Sequence, residues 1–165
     1  MKSILKKIWS SSLAFILTAA GISVSQHAYA LSPEAESGKM LFPTCFVCHN
    51  PAADPPTGPP MWGVKNQYRR AYGSDKQVFI DKVREFVQKP TKQNAVMTDA
   101  VAKMKVMPPM ALPDAMLDNI SAYIYETQFE PPCDHWRIEV KNAKDPNAEH
   151  VQKEKRQIKR FCTNN

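Results

Sequence analysis

Apolar residues recur along most of this chain at intervals of three and four, the spacing that gathers them on one face of an α-helix. Phe79, Ile80, Val83, Phe86 and Val87 share such a face, bounded by a capping-box pair, Ser74 and Gln77, and by Pro90. Met116, Leu117, Ile120, Tyr123, Ile124 and Thr127 form another stripe behind the start signal Pro113–Asp114. Ser32, followed by Pro33 and by Glu34 and Glu36 in the first turn, predicts a helix that runs to about Phe42. A short helical turn is expected over 98–105, before Pro108 and Pro109 force extended backbone. Asp145 and Pro146 restart a charged helix with Val151, Ile158 and Cys162 as a thin apolar line. No stretch keeps the alternation of a half-buried strand, so the pattern predicts an all-α protein.

Two segments fall outside this rhythm. The stretch "NPAADPPTGPP", residues 50–60, holds five prolines in eleven residues and is incompatible with helix or central strand, so a shaped loop is expected. Residues 1–30 read as a signal peptide: Lys2, Lys6 and Lys7, an apolar run from Leu13 to Val24, then the small-residue site Ala28–Tyr29–Ala30. That run is shorter than the roughly 20 residues of a spanning helix, so no membrane span is expected after cleavage before Leu31. Export to the periplasm follows as an expectation.

The 135 residues that remain suit one domain, residues 31–130, with an extension at 131–165. Charge separates the two. The domain carries eleven Lys or Arg against eleven Asp or Glu, and the extension eight against five. Its lysines alternate with acids and no aromatic platform accompanies them, which excludes a nucleic-acid module and fits a solvated helix face or docking to an acidic partner.

In an exported chain thiols are oxidised or committed to a cofactor, so all four cysteines need an assignment. The run "PTCFVCHNP" places Cys45 and Cys48 two residues apart, with His49 next. A structural zinc site wants a second such pair, but Cys133 and Cys162 stand alone and far apart. A thioredoxin-like pair wants a βαβ unit around it. Covalent haem attachment accounts for every residue in the run: two thioethers to the porphyrin vinyls, and a histidine as axial iron ligand.

With these residues in place, the chain resembles the class I c-type cytochromes over residues 32 to about 130. "ESGKMLFPTCFVCH" is similar to the family's first helix and attachment site, with Gly38 where the last helix crosses closely. "TGPPMWGV" resembles the loop whose proline carbonyl, here that of Pro59, accepts a hydrogen bond from the proximal histidine. "VMPPMALPDAMLDNISAYIYE" resembles the stretch with the distal methionine and the terminal helix, whose packing aromatic is Tyr123. The resemblance implies an all-α cytochrome c-like fold around one covalent haem c, with iron held by His49 and a methionine. Met107 is the expected sixth ligand, because the two prolines after it hold the backbone extended, and Met110 comes next; Met97 and Met104 read as packing. His135 and His150 are the alternative nitrogen ligands, though both lie in the extension. Asn50 and Pro113 depart from the residues usual in the family at their positions, and neither removes a ligand.

Cys133 and Cys162, the only thiols of the extension, are expected to form a disulfide that fastens it to the domain, with free or intermolecular thiols as the alternative. Trp62, Tyr68, Arg69 and Arg70 carry donors that suit either haem propionates or ordinary packing. The function implied is a one-electron carrier, not an enzyme, working between periplasmic or membrane-bound redox proteins. The alternatives are a haem subunit of an oxidoreductase, or a peroxide- or gas-binding protein if the sixth site is open. A sensor would want an output domain.

Overall fold

The computed structural model describes residues 30–162, which form eight helices and no strand. The expected signal peptide lies outside the described residues except for Ala30. In chain order the helices are α1 (Pro33–Leu41), α2 (Pro43–Phe46), α3 (Met61–Tyr72), α4 (Lys76–Gln88), α5 (Thr98–Met104), α6 (Asp114–Glu126), α7 (Cys133–Asn142) and α8 (Glu149–Phe161). Among the described residues no helix is long and apolar enough to cross a membrane.

The start of α1 follows its sequence signal. Ser32 is the N-cap, its hydroxyl accepting from the Ala35 N–H, and Pro33 sits where no backbone donor is needed. The capping box expected at Ser74 and Gln77 is displaced by one residue. Asp75 caps α4, its carboxylate accepting from the Val78 N–H at 2.9 Å, while the Gln77 amide bonds to Asp81. The Ser74 carbonyl is instead the acceptor for the Tyr125 hydroxyl. The tail helix likewise starts later than Asp145–Pro146, which form a turn in which Asp145 accepts from the Asn147 N–H.

Helices α1, α4 and α6 form the body. Gly38 is the point where α1 crosses α6, and a Cβ there would run into the Asn119 carbonyl, so the two backbones meet only because position 38 has no side chain. Glu126, at the end of α6, closes the corner. Its carboxylate accepts from the Ser32 N–H at 2.7 Å and hydroxyl at 2.8 Å, and from the Lys76 ammonium at 2.6 Å. The first turns of α1 and α4 are thereby tied to the last turn of α6.

The core consists of Met61, Tyr68, Phe79, Val83, Ile120 and Ile124. Each such side chain contributes roughly 1.5–3 kcal/mol when fully buried. Two of these residues come from α3, a helix hidden from sequence reading by the prolines before it. Its signal is nonetheless present, since Met61, Val64, Tyr68 and Tyr72 fall at three- and four-residue intervals. The Lys65 ammonium, buried on the same helix, donates to the Thr127 carbonyl at 2.8 Å, a cation placed at the C-terminal end of α6.

The short α2 and α7 are also absent from the sequence expectations, and α7 pairs with α8. Cys133 and Cys162 form the expected disulfide, with sulfurs 2.04 Å apart, but it joins the start of α7 to the end of α8 within the extension and does not fasten the extension to the domain, because both cysteines lie past residue 130. Trp136 and Phe161 pack on Trp62 of α3 with ring centroids 5.4 and 5.6 Å away.

Candidate functional site

Six of the residues at the centre of the body, Met61, Tyr68, Val83, Leu117, Ile120 and Ile124, also line a cavity of about 330 Å³. The volume lies within the range of pockets that bury small molecules and cofactors. Phe86, Val87, Val96, Val106 and Leu112 extend the apolar wall, and the polar side chains on it are few. Into this space the chain brings the residues singled out from the sequence. Cys45, Cys48, His49, Pro59 and Met107 all line it.

The histidine is held in a defined state. His49 Nδ1–H donates to the Pro59 carbonyl at 2.6 Å. A carbonyl can only accept, so the proton resides on Nδ1 and Nε2 keeps its lone pair. Burial pushes the His49 pKa down, opposed in part by the Pro59 bond, and the ring is a neutral imidazole near neutral pH. That is the form able to bind a metal.

The loop around this bond is built for it. Gly58 lies against the histidine, and a Cβ there would stand 2.9 Å from the Cys48 carbonyl oxygen and 3.2 Å from His49 Nδ1. The Thr57 hydroxyl donates to the Cys48 carbonyl at 2.8 Å. Neither Gly58 nor Thr57 stands out by residue type, and the only sequence signal for them is their place immediately before Pro59. Proline-rich backbone on this segment positions the carbonyl without relying on helix or sheet.

Cys45 is half-buried and Cys48 exposed, and neither is in a disulfide. Burial, then the neighbouring Cys48, raises the Cys45 pKa, so its thiol is not the lowered-pKa thiolate of a disulfide exchanger. Cys133 and Cys162 are joined to each other and supply no zinc ligand to the pair. Among the described residues no three His, Cys, Asp or Glu side chains are gathered to hold a bare metal ion.

The methionines converge. Met97, Met104, Met107 and Met110 all line the cavity, so Met97 and Met104 sit at the site as well as in the packing. The Met110 N–H donates to the Val87 carbonyl at 3.0 Å and fastens that end of the loop to α4. Met97 reaches α3 opposite Gly63, where a Cβ would lie 3.5 Å from its methyl carbon.

Other candidates separate. His135 and His150 line a second, more polar cleft between α3, α5, α7 and α8, not the apolar cavity. His135 is buried, with its Nδ1 lacking a hydrogen-bond partner, rather than on the surface. Trp62 and Arg70 also face that cleft, and Arg69 lies over the Tyr125 ring at 5.4 Å. Of the four donors considered for propionates, Tyr68 alone lines the apolar cavity.

No family model matches the chain, and no curated protein or solved structure is significantly similar to it.

Proposed function

We propose that this chain is a class I c-type cytochrome: an exported one-electron carrier that holds one covalent haem c in the apolar cavity. The observation that carries the reading is the donation from His49 Nδ1–H to the Pro59 carbonyl, beside a cavity lined by both cysteines of the attachment run. A neutral imidazole of fixed tautomer, two thiols two residues apart and thioether sulfurs in the same apolar space form the donor set that a covalently attached iron porphyrin requires.

Cys45 and Cys48 would hold the porphyrin through thioethers, and His49 would ligate iron through Nε2, the nitrogen the Pro59 bond leaves unprotonated. Met107 would supply the sulfur ligand. Once bound, the haem supplies reversible one-electron exchange between ferric and ferrous iron. The aliphatic walls exclude water, which limits the solvent reorganisation accompanying each change of charge. With iron held by the His49 and Met107 side chains the protein would bind no substrate there, and its partners would be periplasmic or membrane-bound redox proteins met in weak, charge-dependent encounters.

Purified full-length product tests this. Pigment that stays with the protein in acidified organic solvent, a weak far-red sulfur-to-iron band in the oxidised form, and no carbon monoxide adduct on reduction are expected. Met107→Ala should abolish the far-red band while Met104→Ala and Met110→Ala keep it. Colourless or solvent-extractable product refutes the cofactor, and a carbon monoxide adduct in the unaltered protein refutes the filled sixth site.

A further inference from the structure

Helix α5 is held unlike the rest of the body. It carries Met104 and leads through Lys105 to Met107, yet none of its residues is buried and its N-cap makes no side-chain hydrogen bond. No Cα of α5 comes within 8 Å of a Cα in another helix. Its exit is strained, because Lys105 adopts φ 68° and ψ 175°, a region that normally requires glycine. Its Ala100, Val101 and Met104 side chains face the apolar cavity, and no close backbone contact with another helix fixes this segment.

Its polar anchor comes from the extension. The Lys103 ammonium lies 2.5 Å from a Glu139 oxygen on α7 and 3.8 Å from a Glu154 oxygen on α8. Among the described residues these are the only side-chain polar contacts α5 makes with another element. Both carboxylates are largely sheltered from water, with 15 and 14% of their side chains exposed, so screening by solvent is weak. The helices bearing them are themselves fastened, to each other by the Cys133–Cys162 disulfide and to α3 by the packing of Trp136 and Phe161 on Trp62. Since α3 begins directly after the Pro59–Pro60 loop that orients His49, the extension bridges the histidine side of the site and the methionine-bearing segment.

We infer that α7 and α8 are a strut for the Met107 loop, with Lys103 and Glu139 as the positioning pair for the sixth ligand. The inference rests on the haem reading above, and it gives the extension a role in setting the ligand rather than in docking a partner. Breaking the ion pairs should free α5 and let the methionine leave iron more readily, while the attachment site and the body helices stay as they are.

The test compares pigmented full-length protein with Lys103→Met, with the double variant Glu139→Gln/Glu154→Gln, and with Lys82→Met as a control on an exposed pair of α4. Amide hydrogen exchange across residues 98–107 should quicken tenfold or more in Lys103→Met and in the double variant, with α4 and α6 unchanged. The pH at which the far-red band disappears should fall by at least one unit in the same two proteins and stay put in the control. Unchanged exchange and an unchanged band in both altered proteins overturn the strut, as does equal quickening in α4 and α6, which would mean general destabilisation. Colourless unaltered protein defeats the haem reading instead, and the exchange comparison then still decides whether the carboxylates hold α5.

Discussion

Two helix junctions in this molecule are built on opposite principles. At the crossing of α1 and α6 the backbones touch through Gly38, and Ala35 and Ala122 beside it are fully buried. The pair α7–α8 instead meets the body across a cleft of about 370 Å³, and no Cα of either helix lies within 8 Å of one in α1–α6. What spans that gap is long side chains: Lys103 to Glu139 and Glu154, Trp62 to Trp136 and Phe161, and Asn142 to Asp54 at 2.9 Å. The first junction is fixed by shape and tolerates no added atom. The second is fixed by aromatic faces and charge, with a disulfide holding α7 to α8 behind them, so it should respond to redox conditions and pH.

The largest expected effect comes from cutting the disulfide between the two helices that make the second junction. Cys133→Ser with Cys162→Ser should lose about 3–4 kcal/mol, the loop-closure contribution for cysteines 29 residues apart. Near-ultraviolet circular dichroism from the Trp62–Trp136 couple should fade at lower urea than the far-ultraviolet signal of the body. Coincident transitions would show that the extension is not a separable layer.

Gly38→Ala attacks the first junction. The new methyl meets backbone, which has no rotamer by which to yield, and a loss of about 2–3 kcal/mol is expected. Here both spectral regions should melt together, because α1, α4 and α6 share the Glu126 corner.

Glu154 separates the junctions by pH. Burial raises its pKa to about 7, with the nearby Lys103 ammonium opposing. A carboxyl whose folded-state value lies above its ordinary 4.5 binds its proton more tightly in the folded chain. The stability it contributes is present below about pH 4.5 and is lost as pH rises towards 7. Relative to Glu154→Gln, the unaltered protein should therefore lose on the order of 2 kcal/mol between pH 4.5 and 8, read by urea unfolding at the two ends. A constant difference between the two proteins would mean that Glu154 keeps an ordinary pKa.

The smallest effect has the opposite sign. Lys105→Gly removes the penalty of a side chain at φ 68° and should stabilise the fold by about 0.5–1 kcal/mol in thermal or urea unfolding.

Much of the body was legible in the chain because its helices announce themselves locally. Ser32–Pro33, Pro113–Asp114 and the stripes on α4 and α6 are signals within a few residues, and the observed helices follow them closely. The exceptions have physical causes. Asp75 outcompeted Ser74 as a cap, and α3 lay behind a proline run that suggests only loop. The α7 segment, with His135 and Trp136 buried beside charged neighbours, has an apolar face too thin to register without the partner that covers it.

Taken alone, the sequence determined that the chain is helical, that Cys45, Cys48 and His49 form one constellation, and that Cys133 and Cys162 were available to each other. All of these are matters of spacing along the backbone, where a few bonds limit what neighbours can do. Only the tertiary structure decided which nitrogen of His49 bears the proton, that four methionines rather than one reach the cavity, and that His135 and His150 face a different cleft. It alone brought Lys103 to carboxylates 36 and 51 residues away along the chain. Such pairings depend on how helices far apart in sequence pack and on what burial does to a charge, and neither is encoded in local spacing.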